Sequence, residues 1–261
     1  MSDDLILMDR DDKDIVTITI NRPEKLNALT KNMWAQLGTI FRNLSDDDSV
    51  RCIILTSTGE KSFSPGNDIS EFETDRSNSE QATKYGALMA ENIEAMRDCR
   101  HPSVAAIKGI CVGGGLEIAG LCDVRICGES SRFGAPISKL GLIMGYHELG
   151  ALQSLVGRGP ALEILLEGRI FGTEEALRLG IVSRVVADGD VMAEARASAE
   201  RIAAGAPLVH RWHKKFAARL EDPTPLSADE INEAFECFDT DDFKTGYQAF
   251  LDKETPKFSG K

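Results

Sequence analysis

The sequence lacks any long uninterrupted run of hydrophobic residues. Its apolar stretches are far shorter than the roughly 20 residues that a membrane-spanning helix requires. The chain opens on Met1-Ser2-Asp3-Asp4, which is acidic where a secretory signal is basic. These absences predict a cytoplasmic protein that neither spans a membrane nor is exported. With 261 residues, 42% of them hydrophobic, the chain can bury one sizeable core and carry an appendage.

The cysteines and histidines lack the spacing of a metal site. No Cys-x-x-Cys pair and no Cys/His cluster at zinc spacing is present. His210 and His213 stand three residues apart without further ligands, so we interpret them as part of a solvated helix face and expect no metal. The cysteines lie mostly in apolar contexts, which predicts reduced core thiols: Cys52, Cys99, Cys111, Cys122, Cys127 and Cys237.

An excess of basic residues is absent as well. The chain has 30 Lys and Arg against 42 Asp and Glu, a formal net charge of −12. Nonspecific binding to nucleic acid is driven by clustered Lys and Arg, so this balance argues against a nucleic-acid partner. The sequence also has no internal repeat and no low-complexity linker.

What is present is an alternation of strand-like and helix-like segments. The β-branched run Ile15–Ile20 predicts a strand, and apolar residues recur at helical spacing over residues 31–44. Further strands are predicted at 52–55, 103–107 and 123–127, and helices at 80–99, 147–156, 160–168 and 174–179, the last ended by Gly180. After Ala206-Pro207 only helices are predicted, one of them opened by the capping box Ser227-x-x-Glu230. This pattern predicts an α/β core over residues 1–198 and a helical C-terminal segment over residues 199–261.

Two turns followed by one acid are the main functional feature of the sequence. The turns are Phe63-Ser64-Pro65-Gly66-Asn67-Asp68 and Cys111-Val112-Gly113-Gly114-Gly115-Leu116-Glu117. Glycines without a Cβ let another molecule approach the main chain closely. The second turn leads into a short helix, whose first N–H groups favour negative charge. Two such N–H groups converging from the two turns would form an oxyanion hole, and Glu117 is placed to move a proton beside it.

These features also have structural interpretations. Three glycines in isolation favour a turn or a tight strand–helix contact. Asp68 is predicted to cap a helix that starts at Ile69 rather than to perform chemistry, and His101, at the start of a strand, is predicted to be structural. Glu117 is harder to explain in this way, because a glutamate on an apolar helix is rarely buried unless it is paired or functional.

Five sequence blocks resemble, in order, those of the crotonase superfamily, the enoyl-CoA hydratase/isomerase family. Two are the turns above, at residues 63–69 and 113–117, and the others are residues 21–29 (NRPEKLNAL), 179–186 (LGIVSRVV) and 250–258 (FLDKETPKF). The resemblance implies a spiral of ββα turns with a C-terminal helical trimerisation segment. It also implies an acyl-CoA thioester as substrate, with CoA carried by the substrate and no separate cofactor, and a homotrimer or a dimer of trimers.

The resemblance further implies roles for individual residues. The oxyanion N–H groups fall on Asn67 and Gly114, and the first catalytic glutamate of the family matches Glu117. Since the chain is acidic and CoA is anionic, basic residues near the site are expected to attract CoA locally. The positions implied for substrate binding are Lys25, Leu26, Ala28, Ser64, Gly66, Asp68, Ile69, Gly113, Pro136, Ile137, Leu140, Phe250 and Lys253.

The sequence departs from the family at two places. A second catalytic glutamate should follow Pro136, but Ile137 stands there, so two-acid hydration does not follow from the resemblance. A loop of small residues in the family is replaced by Met144-Gly145-Tyr146-His147-Glu148-Leu149-Gly150. We expect Tyr146 and Glu148 to pack at the head of the following helix, where Glu148 suits the helix dipole. His147 is left open between packing and catalysis, and is kept as a catalytic candidate.

Three functional hypotheses therefore stand at this point. The first is hydration or isomerisation of an enoyl-CoA through a thioester enolate, with Glu117 as acid/base. The second is decarboxylation of a malonyl-type thioester, which needs the oxyanion hole but no water-activating acid and would suit an apolar Ile137. The third is a noncatalytic acyl-CoA-binding protein, against which the retained Glu117 argues, because burying an unpaired carboxyl costs stability.

Overall fold

The computed structural model describes residues 4–261, and the acidic opening at Met1, Ser2 and Asp3 lies outside the described residues. Within residues 4–261, nine strands form two sheets. Strands predicted from the sequence at 15–20, 52–55, 103–107 and 123–127 are present with small shifts at their ends. The strands are β1 (Ile6–Arg10), β2 (Ile15–Ile20), β3 (Cys52–Ser57), β4 (Ser62–Ser64), β5 (Ser103–Ile107), β6 (Ile110–Val112), β7 (Val124–Gly128), β8 (Arg132–Gly134) and β9 (Arg184–Val186).

The two sheets are built by a chain that alternates between them. The larger sheet has the order β1-β2-β3-β5-β7-β9, and the smaller has the order β4-β6-β8. All strand pairs are parallel except β1 with β2. Three successive times the chain adds one strand to the larger sheet and the next to the smaller, as β3-β4, β5-β6 and β7-β8. This repetition is the predicted spiral of ββα turns.

Eleven helices surround these sheets in the described part of the chain. Helices predicted at 31–44, 80–99, 147–156, 160–168 and 174–179 are all present. The helices are α1 (Lys31–Asp46), α2 (Phe72–Asp75), α3 (Ser79–Arg97), α4 (Gly114–Gly120), α5 (Tyr146–Val156), α6 (Arg158–Glu167), α7 (Thr173–Arg178), α8 (Val191–Ala203), α9 (Pro207–Arg219), α10 (Ala228–Glu233) and α11 (Asp241–Asp252). None of these helices is long and apolar enough to cross a membrane.

The larger sheet is buried on both faces, which explains its apolar strands. Every residue of β3 is buried, as expected for a parallel strand covered on each side. One face packs on the main core, whose largest fully buried side chains include Trp34, Phe41 and Phe63. The other face packs on α8 through a smaller cluster that contains Val191. The site described below lies at the ends of the smaller sheet's strands.

Four helices, α8 to α11, make up the last part of the chain. Helix α8 runs through the predicted boundary, and its Ala195 and Ala199 are buried against the larger sheet. The break falls at Gly205, between α8 and α9. The capping box is confirmed: the Ser227 hydroxyl accepts from the Glu230 N–H, and the Glu230 carboxylate accepts from the Ser227 N–H.

Candidate active site

The two glycine-containing turns meet because β4 and β6 are neighbours in the smaller sheet. Gly66 has a φ of +97°, and a Cβ added to it would lie 2.6 Å from the Gly114 nitrogen. A Cβ on Gly115 would lie 2.1 Å from the Ser64 carbonyl oxygen. The glycines therefore serve a tight contact between the turn after β4 and the start of α4. That contact also brings the two main chains close together. The structural interpretation of the turns therefore applies, and the functional one stays a prediction.

Two backbone N–H groups are left without acceptors at this contact. The N–H groups on either side of Asn67 are used: Gly66 donates to the Ser64 hydroxyl at 3.1 Å, and Asp68 donates to the Leu29 carbonyl at 2.9 Å. Gly114 is the first residue of α4, where N–H groups have no partner within the helix. Among the hydrogen bonds of residues 4–261, neither the Asn67 N–H nor the Gly114 N–H is a donor.

The Asn67 side chain is held by the protein. The Trp34 indole Nε1–H donates to Asn67 Oδ1 at 2.6 Å, and Asn67 Nδ2 lies 3.8 Å from Met89 Sδ. Trp34 is fully buried. The amide is therefore fixed, and the main-chain N–H of Asn67 is the group available to a ligand.

Asp68 stabilises the first turn, as the sequence predicts. Its carboxylate accepts from the Ser70 N–H at 3.0 Å, which caps a short 3-10 helix from Ile69 to Glu71, and it pairs with Arg22 at 2.6 Å. The hydrogen bond from the Ser70 hydroxyl, followed by that from Arg22, lowers the pKa of Asp68 to about 2. The carboxylate is thus committed to holding the turn.

A cavity of about 300 Å³ lies in front of the two turns. Ten of the residues implied by the sequence line it together: Ala28, Asn67, Asp68, Ile69, Gly113, Gly114, Glu117, Pro136, Ile137 and Leu140. Ile137 faces the cavity directly, so no acid occupies the position where the family has its second glutamate. The remaining lining is mostly apolar.

Glu117 points into this cavity from α4. Its Oε2 is buried and has no hydrogen-bond partner. On its other side Glu117 contacts a small apolar space shared with Met144, Leu152 and Leu155. Burial raises the pKa of Glu117 to about 8, helped by the negative charge of Glu148 and opposed by the positive charge of Arg76. At neutral pH the side chain is mostly protonated and can donate a proton to a ligand.

The side chains of the unusual loop point to two different cavities. Helix α5 begins at Tyr146, and this start turns Glu148, not His147, towards the cavity of Glu117. Glu148 also folds over the head of α5, because a Cβ on Gly145 would lie 2.5 Å from Glu148 Oε2. His147 Nδ1 instead lies 3.5 Å from Glu94 Oε1. His147 and Tyr146 line a different cavity of about 760 Å³, so His147 is not positioned to act with Glu117.

Several residues implied by the sequence do not line the cavity of Glu117. Ser64 lies beneath the turn, where its hydroxyl donates to the Asn27 carbonyl and accepts from Gly66, and Gly66 makes the backbone contact already described. The remaining four are exposed: Lys25, Leu26, Phe250 and Lys253. Phe250 is 83% exposed and lies in the C-terminal segment. In one copy of the chain none of these four positions lines the cavity.

The histidines singled out in the sequence lie elsewhere. His101 is buried, and burial lowers its pKa to about 4. His210 and His213 both line the larger cavity rather than only a solvated face, and His210 Nε2 lies 3.1 Å from the Ile202 carbonyl. Among residues 4–261, no group of three His, Cys, Asp or Glu side chains is arranged to hold a metal ion.

Sequence reasoning missed part of the cavity wall. The segment after Asp68 carries no motif, yet it contributes Phe72 and Arg76, and α3 contributes Met89. The Arg76 guanidinium lies 4.8 Å from the ring centroids of both Phe72 and Tyr85. No pattern in the sequence predicts that Arg76, just after α2, lies near Glu117 on α4. The tertiary fold brings both side chains to the same cavity.

Comparison with known proteins agrees with this architecture. The family model described as enoyl-CoA hydratase/isomerase matches residues 10–261. A short-chain-enoyl-CoA hydratase of Clostridium acetobutylicum is 34% identical over 252 residues, which are 95% of each chain. An (E)-benzylidenesuccinyl-CoA hydratase of Thauera aromatica is 35% identical over 94% of this chain and 96% of its own. A crystal structure of an enoyl-CoA hydratase/carnithine racemase from Magnetospirillum magneticum superposes with a TM-score of 0.97 at 46% identity, covering 100% of this chain and 97% of that one.

Proposed function

Because the chain belongs to the enoyl-CoA hydratase/isomerase family, the crotonase superfamily, we propose that it adds water to the double bond of a 2-enoyl-CoA thioester. One observation carries the proposal: the buried, unpartnered carboxyl of Glu117 shares a cavity with the two free N–H groups of Asn67 and Gly114. A structural protein would have no reason to retain these three unsatisfied groups together.

The two N–H groups are proposed to hold the thioester oxygen. When water adds to C3 of the enoyl group, negative charge moves through C2 to this oxygen and forms an enolate. Donors fixed at this point stabilise the enolate more than the ground state, and the loss of one such donor typically costs about 10²–10³ in rate. The start of α4 adds the favourable end of a helix dipole.

The proton transfers are assigned to Glu117 and Glu148. Water gives its hydroxyl to C3 and its proton to the Glu148 carboxylate, while Glu117 gives its proton to C2. A proton then returns from Glu148 to Glu117 and restores the starting state. Two carboxyl groups sharing one proton suit this exchange, because the charge of Glu148 favours the protonated form of Glu117. In this assignment Glu148 supplies the second acid that Ile137 does not.

Double-bond migration uses the same enolate and remains an alternative outcome of the same site. For a 3-enoyl-CoA such as 3-butenoyl-CoA, the Glu148 carboxylate would remove a proton from C2 and the protonated Glu117 would deliver one to C4, with no water consumed. Decarboxylation of a malonyl-type thioester is favoured by one observation, the apolar Ile137 in the cavity wall. The presence of a second carboxylate in the cavity favours hydration over decarboxylation. The third hypothesis, a noncatalytic acyl-CoA-binding protein, is opposed by the unpartnered Glu117.

The proposal is tested by turnover of crotonyl-CoA, 3-butenoyl-CoA and malonyl-CoA with the purified protein. We expect loss of crotonyl-CoA with formation of 3-hydroxybutyryl-CoA. Glu117→Gln and Glu148→Gln should each lower kcat by roughly 10²–10⁴, the usual contribution of general acid–base catalysis. Glu73→Gln removes an exposed carboxylate outside the cavity and serves as the matched control. Near-native turnover by Glu117→Gln would refute the assignment, and release of CO2 from malonyl-CoA would replace hydration by decarboxylation.

We further propose that the chain assembles as a homotrimer or a dimer of trimers. The C-terminal segment exposes large apolar side chains that a solitary chain would leave in water: Phe235, Phe238, Phe243, Tyr247, Phe250 and Leu251. Exposed aromatic residues in such number favour an interface. In that assembly Phe250 and Lys253, which lie outside the cavity of their own chain, could contribute to the CoA site of a neighbour.

A further inference from the structure

We propose that Arg76 binds a carboxylate on the acyl group, so that the substrates are CoA thioesters of dicarboxylic enoic acids. This inference rests on the proposed function, because it names the substrate class of the same cavity. Arg76 would bind the end of the acyl chain remote from the thioester, whereas the proposed oxyanion hole binds the thioester oxygen.

Arg76 is held in place at the cavity wall. It follows α2, and its backbone N–H donates to the Phe72 carbonyl at 3.1 Å. Its guanidinium stacks on two aromatic rings, with 4.8 Å to the centroids of both Phe72 and Tyr85. Tyr85 is buried. Such stacking fixes the plane of the cation and leaves its N–H edge for a ligand.

Within residues 4–261, the Arg76 guanidinium has no ion pair and no hydrogen bond. Of the acids that precede it in the chain, Glu73 is exposed, and Glu71 and Asp75 are engaged elsewhere. Glu71 accepts from the Lys31 N–H at 2.8 Å and from the Tyr85 hydroxyl at 3.4 Å, and Asp75 pairs with the Lys31 ammonium at 2.9 Å. A partly buried cation without a partner is costly, and a planar guanidinium matches a carboxylate with two parallel hydrogen bonds.

Arg76 does not serve as the partner of Glu117. An arginine paired with a carboxylate holds the pKa of that acid low. The pKa of Glu117 is instead raised to about 8, since burial and Glu148 outweigh the opposing charge of Arg76. The guanidinium is therefore close enough to act in this cavity, but its charge is not neutralised there.

The rest of the acyl cavity offers no other place for a substrate carboxylate. Glu148 would repel a carboxylate, the protonated Glu117 is assigned to proton transfer, and Asp68 is paired with Arg22. The rest of the wall is mostly apolar and includes Ile69, Phe72, Ile137, Leu140, Leu142 and Met144. An acyl chain would lie along these side chains, and a carboxylate at its end would be favoured only beside Arg76.

The test compares ligands that differ only at the end of a five-carbon acyl group. Glutaryl-CoA ends in a carboxylate and valeryl-CoA in a methyl group, and neither has a double bond, so their dissociation constants are measured by calorimetry without turnover. We expect the wild type to bind glutaryl-CoA roughly 10- to 100-fold more tightly than valeryl-CoA, the range of a charge-assisted hydrogen-bonded pair. The same preference should appear in kcat/KM for glutaconyl-CoA over pent-2-enoyl-CoA.

Variants assign the preference to Arg76. Arg76→Gln should bring the ratio of the two dissociation constants close to one. Arg76→Lys should leave an intermediate ratio, because lysine keeps the positive charge but cannot donate the two parallel hydrogen bonds of a guanidinium. Arg158→Gln, which removes an exposed arginine outside the cavity, should keep the wild-type ratio. A wild type without the preference, or an Arg76→Gln variant that weakens both ligands equally, would overturn the proposal. Since the binding ratio needs no catalysis, it is decided separately from whether Glu117→Gln abolishes turnover.

Discussion

Replacing Glu117 with Gln should change how the stability of the protein depends on pH. The pKa of Glu117 is about 8 in the folded protein against a reference of 4.5, so the folded state keeps this proton to a higher pH than the unfolded chain does. The stability associated with this group is therefore complete below pH 4.5 and is lost as the pH rises to about 8. The amide introduced by the substitution does not titrate, so the variant lacks this loss.

The magnitude follows from the size of the shift. At about 1.4 kcal/mol for each pKa unit, ionising Glu117 in the folded protein costs about 5 kcal/mol in total. The linkage relation places roughly 2–3 kcal/mol of this loss between pH 6 and pH 9. The free energy of unfolding of the wild type should fall by about this amount relative to Glu117→Gln over that interval. Other titrating groups are common to both proteins and cancel in the difference.

Urea unfolding at pH 6, 7, 8 and 9 measures this difference. All samples need the same protein concentration, because the apparent stability of an oligomer depends on it. The unpaired amide in the variant adds an offset that does not vary with pH, so the slope is the observable. Glu148→Gln should shrink the slope by removing one cause of the raised pKa, and Glu73→Gln should leave it unchanged. Parallel curves for the wild type and Glu117→Gln would refute the buried, unpaired state of this carboxyl.

Two further predictions concern the turns and the assembly. Gly66→Ala places a Cβ 2.6 Å from the Gly114 nitrogen at a φ of +97°, so crotonyl-CoA turnover should fall by about 10² or more. In the control Gly86→Ala, in α3, no atom lies within 4 Å of the added Cβ, so this variant should keep its activity and be more stable by about 0.5–1 kcal/mol. Equal kinetics of the two variants would contradict the role of the turn contact. Sedimentation at micromolar concentration should show a trimer or a hexamer, because of the exposed apolar side chains of the C-terminal segment, and a monomer would exclude the proposed assembly.

The sequence was informative about the fold because its signals are local. Strand β2 and helix α1 were predicted from β-branched residues and helical periodicity, and Ser227 with Glu230 predicted a cap that the structure contains. The predicted boundary after residue 198 falls inside α8, which has helical periodicity like the segment that follows it. Only its packing on the larger sheet shows that it belongs to the core.

The parts of the candidate site that the sequence indicated are those in which a short motif determines the course of the main chain. Close approach of two backbones requires glycine and specific turns, and both can be identified from a few consecutive residues. For this reason the sequence indicated Gly66, Asn67 and Gly114. The positions implied for substrate binding that line the cavity belong mostly to the same runs. Phe250 and Lys253 were implied by the resemblance alone, and in one copy of the chain neither lines the cavity.

By itself the sequence determined the two turns, the single acid Glu117 and the absence of a second acid at Ile137, since each is a property of consecutive residues. The tertiary structure decided which side chains join Glu117. The direction in which α5 starts brings Glu148 to the cavity and turns His147 towards Glu94, and the packing of α2 beside α3 brings in Arg76. The direction of a side chain depends on how helices distant in sequence pack together. That packing fixes the burial that raises the pKa of Glu117 and, to a lesser extent, the charges that act on it.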